Sequence, residues 1–248
     1  RESIRTHDGV RSILEVMTNN AEVKHVQQFG GITLNLLAIE ESGANLLSQG
    51  KMDILFEDYV HYANDDEVMV PIVGIFALYS RDIHRDYIAR MLEEPFLKQL
   101  VEFLQTRRGN VKLESEVYEV ISNLCADAKA NQYFMDHGVS ILCSSTLREE
   151  NAKTMTEAEK KLSIELVINL CHAVRCLLKG REVKEVVDNT LLELFRVTLE
   201  AYRKESDAVL ALLDVYQVLV KDADYVKTVT STGVLTRFFA LYKEYIHF

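Results

Sequence analysis

Proline is nearly absent from this chain, with two in 248 residues beside only ten glycines. So few breakers favour long helices over a strand-and-turn protein. Basic runs are short, Arg107–Arg108 being typical, and the formal charge is −10. An acidic chain repels phosphate backbones, so nucleic acid is not an expected partner. No apolar run approaches the roughly 20 residues that span a bilayer, and no signal peptide is visible. The first residue is Arg1 rather than Met. The chain therefore reads as a fragment in which an N-terminal address or lipid site would be missing.

Cysteine is also sparse. None of Cys125, Cys143, Cys171 and Cys176 forms a Cys-x-x-Cys, and three lie inside apolar helical runs. Buried free thiols in a reducing, cytoplasmic setting are the expectation. The seven histidines are dispersed, and none sits at the His-Glu-x-x-His spacing of a metal helix. His172 follows Cys171, but adjacent helix positions point about 100° apart, so the two side chains diverge. Ser122 and Ser163 lack a nucleophile elbow. No glycine-rich phosphate loop occurs; Gly30-Gly31 is a lone pair in an apolar stretch. Neither catalysis, a metal nor a cofactor is expected.

What is present is a repeat. The chain is 48% hydrophobic and 27% charged, a globular balance with ample material for a core. Asn35-Leu36-Leu37, Ala77-Leu78-Tyr79, Asn123-Leu124-Cys125, Asn169-Leu170-Cys171 and, more loosely, Gln217-Val218-Leu219 each read as a helix end. Their first residues lie 42, 46, 46 and 48 apart. Helix starts recur in the same phase: Gly9-Val10, Gly50-Lys51-Met52, Pro95-Phe96, Gly138-Val139, Thr190-Leu191 and Gly233-Val234. Apolar residues fall on one helical face, as in Val10, Ile13, Leu14 and Met17, or Phe96, Leu100, Phe103 and Leu104. Richer apolar helices run through Val117–Cys125, Leu162–Cys171 and Val209–Val220. A short helix precedes most starts: Ala44–Ser48, His84–Leu92, Ala130–Asp136, Glu182–Val187 and Asp224–Thr230. Residues 148–156 read as a polar loop. Pro71 is expected to kink or delay its helix, and the Gly30-Gly31 pair to serve close helix packing.

Units of three helices and forty-odd residues, none able to bury its apolar face alone, imply an α-solenoid of stacked repeats. The units fall at about 1–42, 43–80, 81–128, 129–178 and 179–222, with 223–248 as a cap carrying Phe238, Phe239, Tyr242, Tyr245 and Phe248. One all-α domain over the whole chain is expected.

On the Gly-Val starts and Asn-Leu ends, the sequence resembles the armadillo-repeat family, with Gly138-Val139 and Asn123-Leu124 the best matches. The resemblance covers the whole chain as about five repeats, the terminal ones incomplete. It implies a right-handed superhelix whose third helices line a concave groove. In that family the groove asparagines hold the backbone of an extended peptide, a carboxamide being both donor and acceptor. Carried over, Asn35, Asn123 and Asn169 are candidates, and Ala77 interrupts the ladder. One turn earlier stand Gly31, Val73, Glu119, Glu165 and Leu213, where import-type grooves carry tryptophan; this chain has none. Instead Glu119, Asn123, Glu165, Asn169 and His172, with Glu116 and Asp127, form a mostly acidic stripe suited to a basic, extended segment. Each glutamate equally fits a solvated helix face, and each asparagine a cap or a bridge between units.

More narrowly, a stand-alone acidic array is similar to the apicomplexan armadillo-repeats-only family. That likeness implies a monomeric, non-enzymatic scaffold on the cytosolic face of a secretory organelle, the rhoptry. It would be held by N-terminal acylation and would recruit a myosin motor and other proteins. Alternatives are a myosin-chaperone module, a nuclear transport adaptor and a metabolite-binding regulatory array.

Overall fold

The structure, a computed structural model, describes residues 9–38, 52–81, 87–231, 233 and 236. Among the described residues every regular element is a helix. The chain divides into two compact units, Arg1–Ala126 and Asp127–Phe248. The first contains α1 (Gly9–Asn19), α2 (Lys24–Ala38), α3 (Asp53–His61), α4 (Asp66–Ser80), α5 (Ile88–Met91), α6 (Glu94–Thr106) and α7 (Val111–Leu124). The second contains α8 (Ala128–Asp136), α9 (Val139–Ala152), α10 (Glu157–Leu177), α11 (Val183–Val186), α12 (Asn189–Ala201), α13 (Ser206–Leu219) and α14 (Ala223–Ser231).

Local chemistry sets the helix ends. Asp65, Asn110, Asp127 and Asp188 each accept a backbone N–H of the helix they precede, satisfying donors that the first turn leaves open. Thr156 and Glu159 form a reciprocal capping box at the start of α10. Gly138, at the head of α9, has φ +72°, a conformation that glycine adopts without steric cost.

In the first unit α2, α4 and α7 stack side by side. These are the three helices that carry Asn35, Ala77 and Asn123. The preceding helix of each pair backs the stack, α1 on α2, α3 on α4 and α6 on α7. An aromatic cluster ties these layers. Tyr59 of α3 stacks on Phe96 of α6 at 4.6 Å between ring centres and meets Phe103 edge-on at 5.5 Å. Phe76 of α4 lies 4.8 Å from Phe56 and 5.2 Å from Phe96. Each such pair adds about 0.5–1.5 kcal/mol beyond the area it buries. In the second unit α10 packs on α13 and α9 on α12, with α8 against both α9 and α10.

Side-chain hydrogen bonds between successive layers carry the sequence period into space. Asn110 to Asp66 spans 44 residues, Asn123 to Ala77 46, Asn131 to Cys176 45 and Asn151 to Thr198 47. Both units are thus helical repeats with a period in the forties.

Pro71 does not break its helix: α4 runs unbroken from Asp66 to Ser80. Its ring faces Gly31, where an added Cβ would lie 3.4 Å from Pro71 Cγ. Gly30 leaves room for Met17, whose Sδ would be 2.5 Å from such a carbon. The glycine pair therefore serves close packing. Several boundaries differ from expectation, among them the start of α7, which lies at Val111 rather than Val117 because Asn110 caps it there. Helix α9 continues through Ala152 and leaves only 153–156 as a loop, because Thr146, Leu147 and Glu150 stay on its buried stripe. Helix α10 runs eight residues past Asn169 to Leu177, since Ala173, Val174 and Leu177 prolong the apolar face. The expected helix Ala44–Ser48, the start at Gly50-Lys51 and the aromatic cap beyond Phe238 lie outside the described residues.

Candidate functional site

The sequence-predicted residues lie on the third helix of each repeat: Asn35 on α2, Glu119 and Asn123 on α7, and Glu165, Asn169 and His172 on α10. All six are half-buried. On α7 and α10 the glutamate and the asparagine are four residues apart and share a face. Asn35, Glu119 and Asn123 belong to the first unit, and Glu165, Asn169 and His172 to the second.

The asparagine amide of α7 is occupied within the molecule. Asn123 Nδ2 donates to the Ala77 carbonyl at 3.2 Å and to Ser80 Oγ at 3.0 Å. These acceptors lie in the last turn of α4, where helix carbonyls lose their intrahelical donors. Of the readings open for this asparagine, these bonds make a bridge between successive repeats. Ala77, the gap in the ladder, supplies the bridge through its backbone. Asn35 plays a packing part: its amide lies over Gly74 of α4, where an added Cβ would come within 2.6 Å of Nδ2. Its half-buried neighbours Thr33 and Gln28 bond locally, to the Phe29 carbonyl and beside His25.

The acidic stripe is partly neutralised. Glu119 pairs with Arg81 at 2.7 Å, from α7 to the end of α4. Glu116, nearly buried, pairs with Lys112 one turn earlier at 2.7 Å. Asp127 spends its carboxylate on the N–H groups of Lys129 and Ala130. In the second unit Arg175 and Asp214 bridge α10 and α13 at 3.0 Å. Each unit, taken by itself, carries half-buried amides and compensated charges along its stacked helices.

Cys171 is fully buried while His172 beside it is half-exposed, so the pair diverges as helical geometry requires. Burial pushes the Cys171 thiol well above its ordinary range, the reverse of what a nucleophile needs. Cys125 and Cys143 are buried thiols too, and Cys176 is half-buried. Among the described residues no group of histidine, cysteine and carboxylate side chains could hold a metal ion. No described helix is long and apolar enough to cross a membrane.

Two buried polar features escaped the sequence reading. Glu150 of α9, placed in a polar loop, is buried and accepts from Ser163 Oγ of α10 and from Lys153 Nζ. Tyr202, the residue that ends α12, meets the same Ser163 hydroxyl at 2.5 Å. Asp58 of α3 is buried as well, 1% exposed. The signal was there: Glu150 continues the stripe Val139, Cys143, Thr146, Leu147, and Asp58 sits among Ile54, Leu55 and Tyr59. A carboxylate on an apolar stripe must find a partner or a proton.

No protein-family profile matches the chain, and no curated protein matches it. A crystal structure of an engineered protein, from the Northeast Structural Genomics Consortium, is similar in fold. Its TM-score is 0.68 over 92% of this chain and 88% of that one, at 18% identity. At that identity the likeness concerns the fold alone.

Proposed function

We propose that the protein is a non-enzymatic scaffold of the armadillo kind, a right-handed superhelix whose row of third helices receives segments of partner proteins. The observation that carries this reading is the stacking of α2, α4 and α7, and of α10 on α13, in the phase of the sequence repeat. A surface built from parallel helices offers evenly spaced polar groups to an extended or helical segment. Repeat arrays use such surfaces for binding because neighbouring units alone support each position.

Within this reading the partner segment is basic. In the second unit Glu165, Asn169 and His172 on α10 are its contacts, and in the first unit Glu119 offers a separate acidic position that Arg81 holds. The likeness to armadillo-repeats-only proteins extends the proposal to a partner class, a myosin motor, and to a role in positioning a secretory organelle from its cytosolic face. The test compares wild type with Glu165→Lys/Asn169→Ala in binding to basic extended peptides and in capture of the motor. Loss of both with unchanged thermal stability supports the scaffold. Equal binding by the two proteins refutes the groove. A strong saturable thermal shift with a nucleotide would instead favour a metabolite-binding array.

A further inference from the structure

Two donors in the first unit, the Gln27 amide and the Tyr62 hydroxyl, converge on the same stretch of backbone, each with an unmatched buried acceptor close by in the chain. Gln27 of α2 is 0% exposed, and its Nε2 donates to the Met17 carbonyl at 3.0 Å and the Asn20 carbonyl at 2.8 Å, where α1 ends. Its Oε1 has no hydrogen-bond partner among the described residues. Asp58 of α3 is 1% exposed, and its Oδ2 is likewise without a partner among them. One turn further along the same face of α3, Tyr62 donates its hydroxyl to the Ala21 carbonyl at 2.8 Å. The face of α3 that carries Asp58 and Tyr62 and the amide of Gln27 thus both address residues 17–21, and α1 packs on both helices.

A carboxylate and a carboxamide oxygen only accept, so neither can satisfy the other while Asp58 is ionised. Buried polar groups left unmatched are rare in folded proteins. One proton resolves both sites. We propose that Asp58 is held as the neutral acid and donates its Oδ2–H to Gln27 Oε1, latching α3 to the turn between α1 and α2.

The surroundings support a proton over a cation. Burial, with Glu57 beside it in sequence, pushes the Asp58 carboxyl up to about 7. The charged groups on adjoining elements are engaged elsewhere. Arg11 pairs with Glu15 on α1, and His61 lies 3.5 Å from Glu22 of the turn. Lys24 of α2 pairs with Asp65 and Glu67 at the start of α4, and His25 lies beside Gln28. Arg107 lies 3.7 Å from Asp66, and from the α5–α6 side Arg90 holds Asp53 and Lys98 lies near Glu102. Tyr59 and Tyr62 are hydroxyl donors already committed to backbone carbonyls. Among the described residues no cation faces Asp58. The latch consequently works below neutral pH and weakens as Asp58 ionises.

Carboxyl-carbon NMR of Asp58, with the Gln27 side-chain amide followed in the same samples, tests this directly. The expected result is an Asp58 midpoint near neutrality, far above an ordinary aspartate, with the Gln27 resonances moving at the same midpoint. Gln27→Met should lower that midpoint, because a bond made only by the neutral acid is lost. Asp58→Asn, which keeps a donor, should melt at the wild-type temperature in mild acid and above it in mild base. An Asp58 midpoint in the ordinary carboxylate range overturns the proposal. So do Gln27 resonances that ignore the Asp58 titration, a readout that holds even where Gln27→Met does not fold.

Discussion

Asn123 on α7 grips the end of α4, its Nδ2 reaching the Ala77 carbonyl at 3.2 Å and Ser80 Oγ at 3.0 Å. Asn123→Ala removes a donor from two part-buried acceptors, and a loss of about 1–2 kcal/mol in unfolding free energy is expected. Urea denaturation measures it. An unchanged midpoint would mean that the bond adds nothing to the stack.

Gly74 and Asn35 make a coupled pair. In a helix interior Gly→Ala ordinarily stabilises by up to about 1 kcal/mol. Here the new methyl would come within 2.6 Å of Asn35 Nδ2, so Gly74→Ala should destabilise the wild type. In an Asn35→Ala background the same change should stabilise. A double-mutant cycle checks the reversal of sign, and additivity would show that the two residues do not touch.

Ser163 of α10 joins α9 through Glu150 and the C-terminal end of α12 through Tyr202. Since its single proton goes to the carboxylate, Tyr202 is the donor in the second bond. Burial pushes the Tyr202 phenol up, keeping it protonated for that role. Ser163→Ala leaves Glu150 Oε2 and the phenol without their shared partner and should cost about 1–3 kcal/mol. Tyr202→Phe keeps the Ser163–Glu150 bond and should cost less. Equal losses in thermal unfolding would contradict this order.

The capping box of α10 predicts a pH dependence. Glu159 accepts the Thr156 backbone N–H at 2.8 Å, and that bond holds its carboxyl below the usual range. A lowered carboxylate pKa stabilises the fold above the ordinary glutamate value and loses that contribution as pH falls through the folded value. Glu159→Gln should therefore flatten the acid limb of the stability profile. Thr156→Ala should cost about 1 kcal/mol near neutral pH. Identical acid limbs in wild type and Glu159→Gln would remove the box as a contributor.

Arg81 competes for Glu119, which it meets at 2.7 Å from a largely exposed position. Such a pair contributes about 0–1 kcal/mol, so Arg81→Ala should barely change stability. It should raise affinity for basic peptides by releasing Glu119, and the gain should shrink with added salt. Titration calorimetry at two ionic strengths reads both effects. A basic peptide bound no better by Arg81→Ala would exclude Glu119 from the groove.

Much of the architecture was legible in one dimension. Proline scarcity and the apolar stripes of Val10–Met17 and Phe96–Leu104 recover helices α1 and α6 close to their observed bounds, and the spacing of Asn35, Ala77 and Asn123 recovers the ends of α2, α4 and α7. These signals are local, because capping and the 3.6-residue periodicity act over a few turns. The period of the repeat is equally local in origin, being the same signal written again.

The polar residues were not legible in that way. Helical periodicity places Asn123, Glu119 and Glu150 on a face but does not say what stands opposite. Their partners are Ala77, Arg81 and Ser163, on neighbouring helices brought together only by stacking. Asn123 therefore became a bridge, Glu119 half of an ion pair and Glu150 a buried acceptor. The sequence by itself determined an all-helical chain written in units of forty-odd residues. Tertiary structure alone decided which of its amides and carboxylates are spent inside the fold, because a hydrogen bond depends on angstroms between atoms that the chain separates by dozens of residues.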